Sequence, residues 1–297
     1  MSAASTISPM HSFPDNPCPD CGTLYIVATP VGNLEDITFR AVRILKEVFL
    51  IAAEDTRHSR KLLSHYNIAT DTISCHEHNE VQRAAKLIPI LQQGKDVALI
   101  SDAGTPCISD PGFRLVTAVL KKNIRVVPIP GSCAVIAGLS AAGLPTDRFF
   151  FAGFLPKKQQ QQVQAIQKLA SRQATLIFYE SPKRIRRLLD QLMAELGDRQ
   201  ACLAREVTKL HEEFIRGHLS HIVACLDAAG PARGECTLFV AGAPEMEQLS
   251  RADLESMIQD RMADGAVPTA GLAKEISTQY RVSRKLVYDT ILQIKSR

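Results

Sequence analysis

Short apolar runs alternate with amphipathic stretches through the first half of the chain. Leu24-Tyr25-Ile26-Val27-Ala28 reads as a strand, Thr38 to Leu45 carries its apolar residues at helical spacing, and Phe49 to Ala53 reads as a second strand. A short helix is expected from Ser59 to Tyr66 and a longer one from Glu80 to Gln93, with Asn79 as its N-cap. The run Val97 to Ile100, a helix from Phe113 to Lys122 and a strand from Ile124 to Val127 continue the alternation. Such a pattern implies a largely parallel sheet covered by helices. Ser132 to Ala142 is a helix of small residues, suited to close packing against a sheet.

After Pro145 the spacing changes. Phe149 to Phe151, Ala174 to Tyr179, Ala201 to Ala204, Glu212 to Arg216 and Cys236 to Val240 read as strands, with helices near 159–169 and over 182–196. Strands that follow one another this closely predict a mixed sheet in a second α/β domain. Beyond Ala243, helical patterns run from Arg251 to Met262, Thr269 to Tyr280 and Ser283 to Lys295, the last capped by Ser283 and carrying Leu286, Val287, Ile291 and Ile294 on one face. The arrangement resembles a helix-turn-helix, and a small capping or dimerising bundle is its plain alternative. The expected organisation is a disordered leader (1–21), an N-terminal α/β domain (22–146), a mixed-sheet α/β domain (147–243) and a helical appendage (244–297).

Composition narrows the functional classes. The 297 residues suffice for two domains with full cores, and 45% of them are hydrophobic. No apolar run approaches the ~20 residues of a membrane span, and the start lacks the pattern of a secretory signal. A net charge of +4 is too mild to name nucleic acid as a partner by itself. Eight cysteines in mostly apolar contexts fit a reducing cytoplasm. Cys18-Pro19-Asp20-Cys21 has the spacing of half a zinc site or a redox pair, but His76-Glu77-His78 is not accompanied by a second such pair, so no metal is expected.

Candidate chemistry gathers after the strands. Thr29 to Asn33, Glu54 to Arg57, Ser101 to Gly112 and Pro128 to Ser132 all fall at one sheet edge, where open α/β proteins bind ligands. Ser109 and Asp110 either cap the helix that begins at Phe113 or face the ligand. The dinucleotide fingerprint, the P-loop and the nucleophile elbow are all absent. Asp102 can accept hydrogen bonds from a cofactor, and Ser132 stands at a helix N-terminus that offers amides to an anion. Lys183-Arg184-Ile185-Arg186-Arg187 places four cations in five positions, a phosphate-binding density unless the helix face is merely solvated.

Taken in order, Thr29 to Asp36, Ala53 to Arg57, Ser101 to Gly112, Pro130-Gly131-Ser132 and Tyr179 to Arg184 resemble the RsmI family of ribosomal small-subunit RNA 2'-O-ribose methyltransferases, in the tetrapyrrole-methylase superfamily. The likeness runs from about Gly22 to the C-terminus and leaves out the leader. It implies a two-domain fold with an S-adenosylmethionine site in the cleft, on Pro30, Asp102, Gly104, Thr105, Ser132, Ala134, Tyr179 and Ala204. It also implies a cytidine of small-subunit ribosomal RNA near the decoding centre as substrate, and a homodimer. Candidates for removing the hydroxyl proton or for orienting the hydroxyl are Glu54, Asp55, Glu180, Glu206 and Lys209, with Arg57 as a phosphate holder or simply the partner of Asp55. RNA contacts are expected at Lys183, Arg184, Arg186, Arg187 and Arg205, and at Arg284 and Lys285 of the last helix. A tetrapyrrole C-methyltransferase and a ligand-sensing nucleic-acid regulator are the competing readings.

Overall fold

The computed structural model describes residues 18–230, 233–244, 251–263, 268–280 and 283–295; of the leader, only residues 18–21 are among them. Two compact units divide between Ala243 and Pro244.

The first unit contains two sheets. Strands β1 (Leu24–Val27), β2 (Leu50–Ala53), β3 (Thr72–Ser74), β4 (Val97–Ile100) and β5 (Val126–Ile129) form a wholly parallel sheet in the order β3-β2-β4-β1-β5. Helices α1 (Phe39–Glu47) and α2 (Thr56–His65) cover one face around Leu45, Ile51 and Ile100. Helices α3 (Glu80–Gln92) and α4 (Phe113–Leu120) cover the other around Leu87, Leu99 and Leu115. The chain leaves β1 towards β2 and leaves β4 towards β5, in opposite directions across the sheet. A crevice therefore opens between the carboxyl ends of β1 and β4. Thr29 and Gly104 bridge its floor, each amide donating to the other's carbonyl at 2.9 Å.

The sheet departs from the sequence pattern in two places. β3 has three residues on the outer edge, too short and too exposed to give an apolar signature. β5 begins and ends later than its hydrophobic run and takes in Pro128, tolerated where β5 forms the other edge.

The second sheet, in the order β6-β7-β10-β8-β9, comprises β6 (Phe149–Phe154), β7 (Thr175–Glu180), β8 (Gln200–Arg205), β9 (Glu213–His218) and β10 (Cys236–Val240). Only β6 and β7 pair in parallel. Helices α6 (Gln159–Gln167), α7 (Pro182–Leu196) and α8 (Leu219–Ala229) bury one face around Phe178, Leu188 and Ile222. The sequence pattern had not indicated α8.

The other face is covered by α5 (Ala134–Ala142), whose Val135, Leu139 and Ala142 pack on Ile177, Cys202, Ala204 and Phe239. By packing, α5 belongs with the second sheet. Its small residues serve this contact: a Cβ on Gly138 would lie 2.5 Å from the Phe239 ring.

The second unit consists of α9 (Arg251–Ala263), α10 (Thr269–Tyr280) and α11 (Arg284–Lys295) around Leu254, Ile258, Leu272, Ile276, Val287 and Ile291. Leu286, expected on the apolar face, is 50% exposed. Thr290 takes the buried position one turn on, with its hydroxyl donating to the Leu286 carbonyl at 2.8 Å. Residues 281–282 of the expected turn lie outside the described residues. Among the described residues no helix is long and apolar enough to cross a membrane.

Candidate active site

A cavity of about 360 Å³ opens between the carboxyl edge of the parallel sheet and the second sheet. The loop after β4 supplies Gly104, Thr105, Ile108 and Asp110. The end of β7 supplies Tyr179 and Glu180, and the start of α5 supplies Cys133 and Ala134. Tyr179 stands in an aromatic group with Phe151 and Phe154, their ring centres 5.0 and 5.6 Å from its own. Burial keeps its phenol protonated well above the ordinary range.

Four of the residues implied by the resemblance, Gly104, Thr105, Ala134 and Tyr179, line this cavity. The other four stand behind it. Pro30 is half-buried beside the Thr29–Gly104 bridge. Asp102 latches two loops together: its Oδ1 accepts from the Asp55 amide at 3.1 Å, and its own amide donates to Glu54 Oε2 at 3.3 Å. The Ser132 hydroxyl donates to the Asp36 carbonyl at 3.3 Å, while its carbonyl accepts from the Thr105 hydroxyl at 3.0 Å. Ala204 is fully buried beneath α5.

Most of the carboxylates considered as bases already hold a cation. Asp55 caps α2 through the Arg57 amide at 2.8 Å and binds the Arg57 guanidinium at 2.9 Å, which lowers its carboxyl to about 2. Glu180, 3% exposed, takes a bidentate grip from Arg184 at 2.7 and 2.6 Å. Glu206 accepts from the Glu235 amide at 2.8 Å and from Lys209 at 3.0 Å, and both contacts hold it below the usual carboxylate range. Burial works against the Lys209 charge, but Glu206 and Glu235 outweigh it and raise that ammonium. This last group meets the first sheet's loops, since a Cβ on Gly32 would lie 2.4 Å from Lys209 Cγ.

Glu54 and Asp110 have no ion-pair partner among the described residues. Burial raises the Glu54 carboxyl, opposed by the Asp102 amide. Asp110 is pushed up to about 7, by burial first and then by the charge of Glu54. Asp110 does not cap α4. That helix has Gly112 as N-cap, and its free amides at Gly112 and Leu115 donate to Oε1 of Glu80, a buried residue at the start of α3, at 3.0 and 2.9 Å. Asn79 likewise makes no side-chain cap on α3; its Oδ1 accepts from the His76 amide at 2.9 Å.

The basic run on α7 is less free than its sequence suggests. Arg184 is held by Glu180, and Arg186 lies between Asp190 and Asp227. Lys183 and Arg187 are exposed and carry no carboxylate among the described residues. Arg205 pairs with Glu213 at 2.7 Å. On α11, Lys285 is exposed and Arg284 reaches the Ala270 carbonyl at 3.5 Å. Cys18 and Cys21 are disulfide-bonded, and no group of three or more possible metal ligands comes together among the described residues.

Comparison with known proteins places this geometry. Residues 23–223 match the family of Tetrapyrrole (Corrin/Porphyrin) Methylases. Two curated proteins named Ribosomal RNA small subunit methyltransferase I are close relatives. The one from Halalkalibacterium halodurans is 46% identical over 89% of this chain and 91% of its own length; the one from Pseudomonas aeruginosa is 48% identical over 92% and 97%. The crystal structure of uroporphyrin-III-C-methyltransferase from Thermus thermophilus shares the fold, with a TM-score of 0.54, 20% identity, and coverage of 74% of this chain and 94% of that one. On that match and those identities, the chain belongs to the tetrapyrrole methylases, within the family of ribosomal RNA small subunit methyltransferase I.

Proposed function

We propose that this protein transfers a methyl group from S-adenosylmethionine to the ribose 2'-hydroxyl of a cytidine in small-subunit ribosomal RNA near the decoding centre. It acts as a cytoplasmic homodimer in this reading. S-adenosylmethionine is the methyl donor of the family, and its sulfonium supplies an electrophilic methyl carbon with a neutral thioether as leaving group.

The residues present suit that group. The cavity falls within the roughly 300–1,000 Å³ range of small-molecule sites and mixes apolar walls from Val31, Ile108 and Val207 with the polar groups of Thr105 and Tyr179. The N-terminus of α5 has no side-chain cap, so its amides are available to a carboxylate. Gly104, Thr105, Ala134 and Tyr179 would hold the cofactor, leaving the enzyme two tasks: to align the hydroxyl and to remove its proton.

The observation that carries the reading is this cavity, set at the crevice of the parallel sheet and containing a carboxylate, Asp110, that has no cation partner among the described residues. Lys183 and Arg187, exposed on α7 next to the cavity residues Ser181 and Pro182, support an RNA backbone as the partner.

The test supplies methyl-labelled cofactor together with small ribosomal subunits or with a tetrapyrrole precursor. Label is expected in the RNA of the subunits. Label in the pigment would favour the chemistry named for the structural relative, and label in neither would overturn the reading.

A further inference from the structure

Around the cavity, the carboxylates differ in what they hold. Glu180 is engaged by Arg184, and Glu206 and Glu235 by Lys209. Asp110 faces the cavity with no such partner among the described residues. Its position is built by its neighbours. Cys107 and Ser109, flanking Ile108, adopt left-handed backbone conformations with φ of 71° and 64°, unusual for residues with a Cβ. The capping task that usually falls to an aspartate before a helix is performed instead by Glu80, reaching across from α3. A strained loop, held from outside, thus presents a carboxylate to the cavity instead of to the backbone.

We infer that Asp110 is the general base that takes the proton of the ribose hydroxyl. This rests on the reading of the substrate given above. In the step, the hydroxyl oxygen's electron pair forms the bond to the methyl carbon, the O–H proton passes to Asp110, and the pair of the broken S–CH3 bond remains on sulfur. Asp110 then releases its proton to water.

The surrounding groups suit the role. Glu54 from the end of β2 and Asp102 from the loop after β4 repel the ionised form, whereas the nearby Ser101 hydroxyl, which donates to the Gly104 carbonyl at 3.3 Å, favours it. Cys107 in the same loop, and Cys133, Tyr179, Glu180 and Glu235 around the cavity, bring no positive charge, and no Lys or Arg lines the cavity among the described residues. Burial and Glu54 together bring Asp110 to about 7, where a base is half ionised and still basic enough to act.

The test compares the full-length wild type with Asp110→Asn, Glu54→Gln and Ser101→Ala in three measurements: carboxyl NMR titration of the cofactor-free protein, calorimetry with S-adenosylhomocysteine, and the pH profile of kcat/KM on small subunits. The wild type should show a carboxyl titrating near 7 that is missing in Asp110→Asn, with kcat/KM, which reports the free enzyme, rising through the same pH. In Asp110→Asn, kcat should fall by about 10²–10⁴-fold and kcat/KM should lose that rise, while affinity for S-adenosylhomocysteine stays within a few-fold. Glu54→Gln should move both the NMR titration and the rise in kcat/KM to lower pH, and Ser101→Ala should move both to higher pH.

Retained kcat in Asp110→Asn overturns the assignment. So does lost S-adenosylhomocysteine affinity, which would make Asp110 a cofactor ligand. If Asp110→Asn does not fold, a pH profile left unmoved by Glu54→Gln and Ser101→Ala overturns it equally. A wild type that labels a base or a tetrapyrrole instead of a ribose refutes the substrate reading, whatever the variants do.

Discussion

Replacing Glu80 should collapse the loop that carries Asp110. Glu80 is 4% exposed and accepts the Gly112 and Leu115 amides at 3.0 and 2.9 Å, satisfying the first turn of α4 in place of a local cap. A hydrogen bond to an ionised group contributes about 1.5–3 kcal/mol net, so losing both in Glu80→Ala costs about 3–6 kcal/mol, before counting the space the side chain leaves. Glu80→Gln keeps an uncharged acceptor and should lose about half of that. At roughly 2–4 °C per kcal/mol for a protein of this size, Glu80→Ala lowers Tm by about 6–24 °C, and Glu80→Gln by about half as much. Calorimetric melting measures both. Methyl transfer should fall further in Glu80→Gln than its stability loss explains, since the loop from Ser101 to Gly112 loses its anchor. A Glu80→Ala protein melting within about 2 °C of the wild type, less than one kcal/mol would produce, would refute the argument that this residue caps α4.

Other consequences are open to direct measurement. Gly138→Ala gains about 1 kcal/mol in helix propensity but sets a Cβ 2.5 Å from the buried Phe239 ring. Overpacking of about 1–3 kcal/mol should win, so Tm falls; a rise would mean that α5 can shift away from its sheet. Changing Lys183 and Arg187 to Gln should reduce the salt dependence of subunit binding by up to ~0.7–0.9 in log–log slope for each phosphate no longer neutralised. Adding Arg184→Gln and Arg186→Gln should leave that slope nearly unchanged, because those side chains are held by Glu180, Asp190 and Asp227. A further large drop in slope would show that they leave these carboxylates for RNA.

The parallel sheet was legible because β2 and β4 are buried runs between helical patterns, a signal carried entirely by local composition. β3 was not, since a three-residue edge strand with polar ends carries no period. The cleft loops were legible as a set, and Gly104, Thr105 and Tyr179 do reach one cavity. Asp102 also makes a contact that no local spacing announces: its Oδ1 accepts from the Asp55 amide, between loops 47 residues apart. Asp110 was visible as either a cap or a ligand-facing residue, and what separates the two is distant in sequence: Glu80 takes the amides of α4, and burial, then the charge of Glu54, raises the Asp110 carboxyl. The pairing of Arg186, by contrast, was visible in principle, since Asp190 stands four residues on along α7, whereas Arg184 meets Glu180 from the end of β7.

The most direct test of the account is the chemical identity of the methylated nucleoside. Small subunits isolated from cells lacking this enzyme are treated with the protein and methyl-labelled S-adenosylmethionine, and the RNA is digested to nucleosides for mass spectrometry. The account predicts labelled cytidine whose methyl group remains with the ribose fragment. Label retained on the free base would contradict it.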